Sequence, residues 1–175
     1  MRKSVLCIAS TRMQAESIVA DLRVAGFAPN DISVLFPDTT GTRDLGHEMN
    51  SKAPEGATTG AATGGILGGA LGWLAGIGAL AIPGLGPFIA AGPIMAALAG
   101  SAAGAAVGGI GGALVGFGVP EVEAKQYEGK IKSGNVLISV HTENSSERSV
   151  AQKIFERNGA EDIASTGESS VSASA

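Results

Sequence analysis

Charge is distributed along this chain in a way that few folds accommodate. All 12 basic and 16 acidic side chains of the 175 residues lie in 1–55 or 121–175, so residues 56–120 form an unbroken uncharged run. Within it Gly60, Gly64, Gly68, Gly72 and Gly76 recur at every fourth position, and Gly100, Gly104, Gly108, Gly112 and Gly116 repeat the pattern. That spacing puts the glycines of each row on one helical face. A glycine inside a helix costs about 1 kcal/mol relative to alanine, so ten of them forgo on the order of 10 kcal/mol of intrinsic helix stability. Close backbone approach, with dispersion and Cα–H···O contacts, is what such rows offer in return. A flexible linker is excluded, because Ile66, Leu67, Leu71, Trp73, Leu74, Ile77 and Leu80 would present a large apolar surface to water.

Pro83 and Pro93 divide the run, so the spacing predicts a glycine-zipper helical hairpin over 56–119 with arms at about 60–82 and 93–118. At about 1.5 Å per residue each arm reaches across the roughly 30 Å apolar layer of a bilayer. Small residues also occupy other faces of the second arm, at Ala99, Ala103, Ala106, Gly109 and Ala113, which predicts packing against further copies and hence a homo-oligomer. Two features run against a simple spanning hairpin. The turn PGLGPFIAAG carries no polar side chain for the far side, and Trp73 falls near mid-helix rather than in an interfacial belt.

The charged flanks read as two halves of one small domain. The first runs strand, helix, strand: SVLCIAS, a helix opened by Thr11 and Gln14 at capping-box spacing, then DISVLF. Ala15, Ile18, Val19 and Leu22 make its apolar face, and Gly26 is its stop. The second repeats the plan with NVLISVHT, Asn144 and Glu147, the face Val150, Ala151, Ile154 and Phe155, the stop Gly159, and EDIAST. Two such βαβ units sharing one sheet predict an α+β, ferredoxin-like split βαβ domain: 1–55 the first half with its loop, 120–166 a connector helix and the second half. In the connector, Val122, Tyr127 and Ile131 are the predicted buried positions, and 167–175 is predicted to be a disordered tail.

Several stretches invite comparison with known chemistry. DTTGT at 38–42 and Thr166-Gly167-Glu168-Ser169 resemble the DKTGT and TGES of aspartyl-phosphate ion pumps. The chain is far too short for a pump, the pump's lysine is replaced by Thr39, and the two stretches occur in the wrong order. Asp38 is therefore predicted to be a turn residue. Gly76-Ile77-Gly78-Ala79-Leu80-Ala81 loosely fits a dinucleotide fingerprint but sits inside the apolar run with no acidic partner about twenty residues on. His47-Glu48 begins like a zinc-protease helix, yet residue 51 is Ser, and His141 is predicted to be an ordinary strand-end histidine. Cys7 is the only cysteine, within VLCIA, and reads as a buried small hydrophobe. No catalytic, cofactor-binding or metal-ligating set emerges, so no cofactor is predicted. The net charge of -4 with no basic run argues against a nucleic-acid partner.

The stretch TRDLGHEMNSKAPEGATTGAATGGILGGALGWLAGIGALAIPGLGPFIAAGPIMAALAG at 42–100, with its βαβ flanks, resembles bacterial general stress proteins of the heat-induced YflT-like type. The insertion of two helices in a small α/β lobe is also similar in architecture to a membrane component of the quinol-oxidising alternative complex III. The first resemblance implies a stress-linked, non-enzymatic protein. The expectation is then a homo-oligomer on the inner membrane, its lobe facing the cytoplasm for contacts or ligand sensing, assembled through the ten glycines named above. A soluble self-assembling particle with buried hairpins, or a small channel or permeability factor, are the alternatives; a ligand for the lobe is not indicated.

Overall fold

The structure is a computed structural model and describes residues 3–37, 78–82, 86–95, 97–98 and 109–167. It is a mixed α+β protein. Among the described residues the six strands are β1 (Lys3–Ala9), β2 (Ile32–Pro37), β3 (Gly78–Ile82), β4 (Gly86–Ala91), β5 (Val136–Thr142) and β6 (Glu161–Gly167). The helices with defined bounds among these residues are α1 (Arg12–Val24), α2 (Gly109–Gly116), α3 (Glu121–Lys132) and α4 (Ser145–Arg157), and residues 93–95 and 97–98 are helical as well. The strands form one antiparallel sheet in the order β3-β4-β2-β5-β1-β6.

The two βα units begin and end their helices in the same way. Thr11 accepts from Gln14 N at 3.1 Å while Gln14 Oε1 accepts from Ser10 N at 2.7 Å. Asn144 accepts from Glu147 N at 2.9 Å while Glu147 Oε2 accepts from Glu143 N at 2.8 Å. In each, orphan N–H groups at the helix start are satisfied reciprocally. At the other ends Gly26 and Gly159 take φ of 96° and 69°, and the next residues, Phe27 and Ala160, donate back to Leu22 O and Phe155 O. Only glycine enters that left-handed conformation at no steric cost.

Strand alternation sends side chains to two cores. One face of the sheet carries Val5, Cys7, Val34, Ile138 and Val140 against Ile18, Val19 and Leu22 of α1 and Ala151, Ile154 and Phe155 of α4. The other carries Leu6, Ile8, Leu35, Phe88 and Leu137 against Ile110 and Leu114 of α2 and Ala124, Tyr127 and Ile131 of α3. The sheet is therefore sandwiched between two helical layers. Val122, predicted to be buried, is exposed, since the inward stripe of α3 runs through Ala124, Tyr127 and Ile131 at helical spacing and Val122 lies off it.

The uncharged insert departs from the predicted hairpin. Residues 78–82, placed by glycine spacing at the end of a helical arm, form β3, and residues 86–91, placed in its turn, form β4. This β-hairpin adds to the sheet through β4, which pairs with β2 from Val34↔Ala91 to Pro37↔Phe88. Backbone pairing with β2 is worth more here than continuing a glycine-weakened helix. The described residues 93–95, 97–98 and 109–116 of the second arm are helical, the last of them as α2. After β4, Gly92 turns the chain at φ 89°; a Cβ there would lie 2.3 Å from Ile32 O, and Ser33 Oγ accepts from Ile94 N at 3.1 Å to fix the turn. At the other end of the chain Gly167, predicted to begin the tail, closes β6 opposite Lys3.

Candidate functional site

Of the ten ladder glycines, Gly112 and Gly116 fall on α2, while Gly60, Gly64, Gly68, Gly72, Gly76, Gly100, Gly104 and Gly108 lie outside the described residues. α2 reads GIGGALVG and has no polar side chain. Its inward face is Ile110, Gly111 and Leu114. Its outward face is Gly112, Val115 and Gly116, with Val115 44% exposed and open space wherever a Cβ would stand on either glycine. A helix apolar all round is normally a buried one, so this face, bare among the described residues, is the feature in need of a partner.

Neighbouring Gly111 serves a different purpose. Its N–H donates to Glu128 Oε2 at 3.1 Å, and a Cβ in its place would lie 2.2 Å from that oxygen. Glu128, from α3, thus offers a carboxylate to the N-terminal turn of α2, where unsatisfied N–H groups and the helix dipole favour negative charge. Lys132 holds the same carboxylate from one turn along α3, Nζ to Oε1 at 2.8 Å. The contact aligns α2 so that Gly112 and Gly116 point away from the lobe.

α3 is tied in turn to the sheet at β6. The Tyr127 hydroxyl donates to Asp162 O, Gln126 Nε2 donates to Asp162 Oδ1 at 2.9 Å, and Lys130 Nζ pairs with Asp162 Oδ2 at 2.7 Å and with Glu161. Asp162 has φ 50°, at the register shift between the partners of Leu6 and Ile8. The hydrogen bond and charge of Lys130 hold the Glu161 carboxyl below its ordinary value, and Asp162 and Glu161 hold the Lys130 ammonium above its own. Burial pushes the Tyr127 phenol well up. These groups fasten helix to strand; beside them lies a cavity of about 140 Å³.

A larger cleft of about 360 Å³ opens where α1 ends, lined by Gly26, Phe27, Asp31, His141, Glu143 and Glu147 among others. Two of its three carboxylates are engaged locally. Glu147 accepts from Glu143 N and Asn144 Nδ2, and Asp31 accepts from Ala28 N. Cys7 is fully buried and desolvation raises its thiol far above the ordinary value, which removes the thiolate a nucleophile requires. Among the described residues no three His, Cys, Asp or Glu side chains are grouped to hold a metal ion. Asp38, His47 and Glu48 lie outside the described residues. Of the pump-like TGES, Thr166 is buried in β6.

The cap on α2 by Glu128 was not read from the sequence. Only the Glu128–Lys132 spacing hints at it, because the partner is 17 residues away. No helix among the described residues is long and apolar enough to cross a membrane. Comparison with family models, with curated proteins and with solved structures gives no match for this chain. The inference of function therefore rests on the residues themselves.

Proposed function

We propose that this is a non-enzymatic, self-assembling protein whose glycine-rich insert joins copies of the chain, carried on a ferredoxin-like α/β lobe. The observation that carries the reading is the outward face of α2. Gly112, Val115 and Gly116 are exposed and apolar, the two glycines keep four-residue spacing, and no described residue fills the groove between them. A second glycine-faced helix fits that groove at close backbone distance. The ferredoxin-like reading of the lobe is supported by the order β2-β5-β1-β6 and by two βαβ halves with matching caps.

Association with the inner membrane, lobe in the cytoplasm, belongs to the same proposal and is favoured by one observation, the uncharged run 56–120. Its form differs from a spanning hairpin, because the predicted turn is drawn into β3 and β4 beside β2. The link to stress is proposed from the resemblance alone. The test is fractionation of the full chain followed by mass measurement. Oligomers recovered from membranes with detergent support the membrane form, detergent-free soluble particles support self-assembly without lipid, and a monomer at every concentration refutes both.

A further inference from the structure

The sheet has two edges, and the sequence treats them differently. β6 is guarded. Its pairing with β1 shifts register, Asp162 takes a left-handed φ of 50°, Glu161 adds a charge, and Lys130 from α3 pairs with both acids. Bulges and charges of this kind keep an edge from recruiting another strand. β3 has none of them. Its five residues, GALAI, carry no charge and no proline, and its register with β4 runs without a shift from Gly78↔Ala90 to Ile82↔Gly86. Among the described residues no strand lies beyond it.

Two prolines reveal which backbone groups β3 offers. Pro87 has no N–H, so the pair Ala81↔Pro87 is a non-hydrogen-bonded one. Antiparallel pairs alternate, so Gly78, Leu80 and Ile82 exchange their bonds with β4. The same parity turns the backbone of Phe88 toward β3 and leaves Pro37↔Phe88 non-hydrogen-bonded, where Pro37 has no donor to lose either. Ala79 and Ala81 consequently turn their N–H and C=O groups away from β4, to the edge where no described strand lies.

We infer that β3 is a self-pairing edge, through which two copies of this chain join antiparallel about a twofold axis at Leu80 and double the six-stranded sheet. In that register Ala79 of each copy faces Ala81 of the other as a hydrogen-bonded pair, and every outward N–H and C=O of β3 finds a partner. A second copy suits the edge better than a foreign strand. The edge offers no charge for another sequence to read, its lack of charge spares it like-charge repulsion against itself, and it is used up completely by its own twin. The contact is isologous and closes as a dimer. It is separate from the glycine face of α2 and stands if that face proves idle; a chain with both contacts assembles beyond a dimer.

The test uses the full chain. Leu80→Cys places two thiols directly opposite at a non-hydrogen-bonded site, with Cα atoms about 4.5 Å apart, close enough for a disulfide. Cys7 is fully buried, so the new thiol is the accessible one. Oxidised glutathione should convert Leu80→Cys largely to a covalent dimer and leave Ser165→Cys, on the guarded edge, without a covalent cross-link. In a Gly112→Leu/Gly116→Leu background, which silences the α2 face, the chain should sediment as a dimer, and adding Ala81→Pro, which removes one outward N–H while sparing the bonds to β4, should give a monomer. Failure of Leu80→Cys to cross-link, or a dimer that survives Ala81→Pro, overturns the inference. Should the proline variant not fold, the cross-link decides alone.

Discussion

Adjacent glycines on α2 should respond to the same substitution with opposite signs. At Gly112 a new Cβ meets nothing within 4 Å, so Gly112→Ala adds only helix propensity, about 1 kcal/mol in the isolated chain. That corresponds to a rise in Tm of about 3 °C for a chain of this size. At Gly111 the same propensity gain meets a loss. The Cβ would stand 2.2 Å from Glu128 Oε2 and displace the carboxylate from Gly111 N, forfeiting a charge-assisted bond worth roughly 1.5–3 kcal/mol. Gly111→Ala should therefore lose about 1 kcal/mol net. The assay is urea unfolding followed by circular dichroism at two protein concentrations. If the Gly112 face joins copies, wild type gains more stability with concentration by mass action than Gly112→Ala, which keeps only the β3 contact, so the variant leads at low concentration and loses its lead at high. A destabilised Gly112→Ala at low concentration, or the same sign for both variants, refutes this assignment of faces.

Four further outcomes follow from the fold. Gly92→Ala should destabilise by several times the Gly111 effect, because φ 89° is strained for alanine and its Cβ would strike the backbone at Ile32 O; an unchanged unfolding midpoint would contradict that. Tyr127→Phe removes the bond to Asp162 O and should cost about 1–2 kcal/mol by urea midpoint, with α3 remaining helical. The Glu161 carboxyl is held below its ordinary 4.5, so its contribution is present above that pH and is lost as pH falls through the lower folded value. Stability of wild type relative to Lys130→Met should accordingly shrink below pH 4.5, and shrink again above 10.5 as the raised Lys130 ammonium finally deprotonates. Cys7 should react with a thiol reagent only at the rate of global opening, tracking added urea; rapid labelling of the native chain would place it elsewhere than the core.

Much of the lobe was legible because its signals are local. Thr11 with Gln14, Asn144 with Glu147, and the stops Gly26 and Gly159 each act within a few residues, and the apolar faces of α1 and α4 follow the helical period, except that Val150, placed on the α4 face, is exposed. The insert was harder for a physical reason. GALAI contains no polar residue, so nothing in it separates period 2 from period 3.6, and glycine spacing alone favoured a helix. What decides for a strand is the hairpin's pairing with β2, far away in sequence. Gly92 and Gly111 carried no sequence mark separating them from the ladder; only contact with Ile32 and Glu128 shows what each glycine is for. Cys7 and His141 behaved as sequence suggested, one in the core and one half-buried at the end of β5.

Sedimentation of wild type beside Gly112→Leu/Gly116→Leu, in detergent and without it, decides whether the glycine face assembles the protein. Leucine fills the groove that a second helix would enter, at positions where no described residue of the protomer stands in its way. The expected result is a wild-type mass of several protomers and a variant reduced to the β3-paired dimer or smaller, with the circular dichroism of the lobe unchanged. Equal masses for the two proteins would show that the glycine face joins nothing.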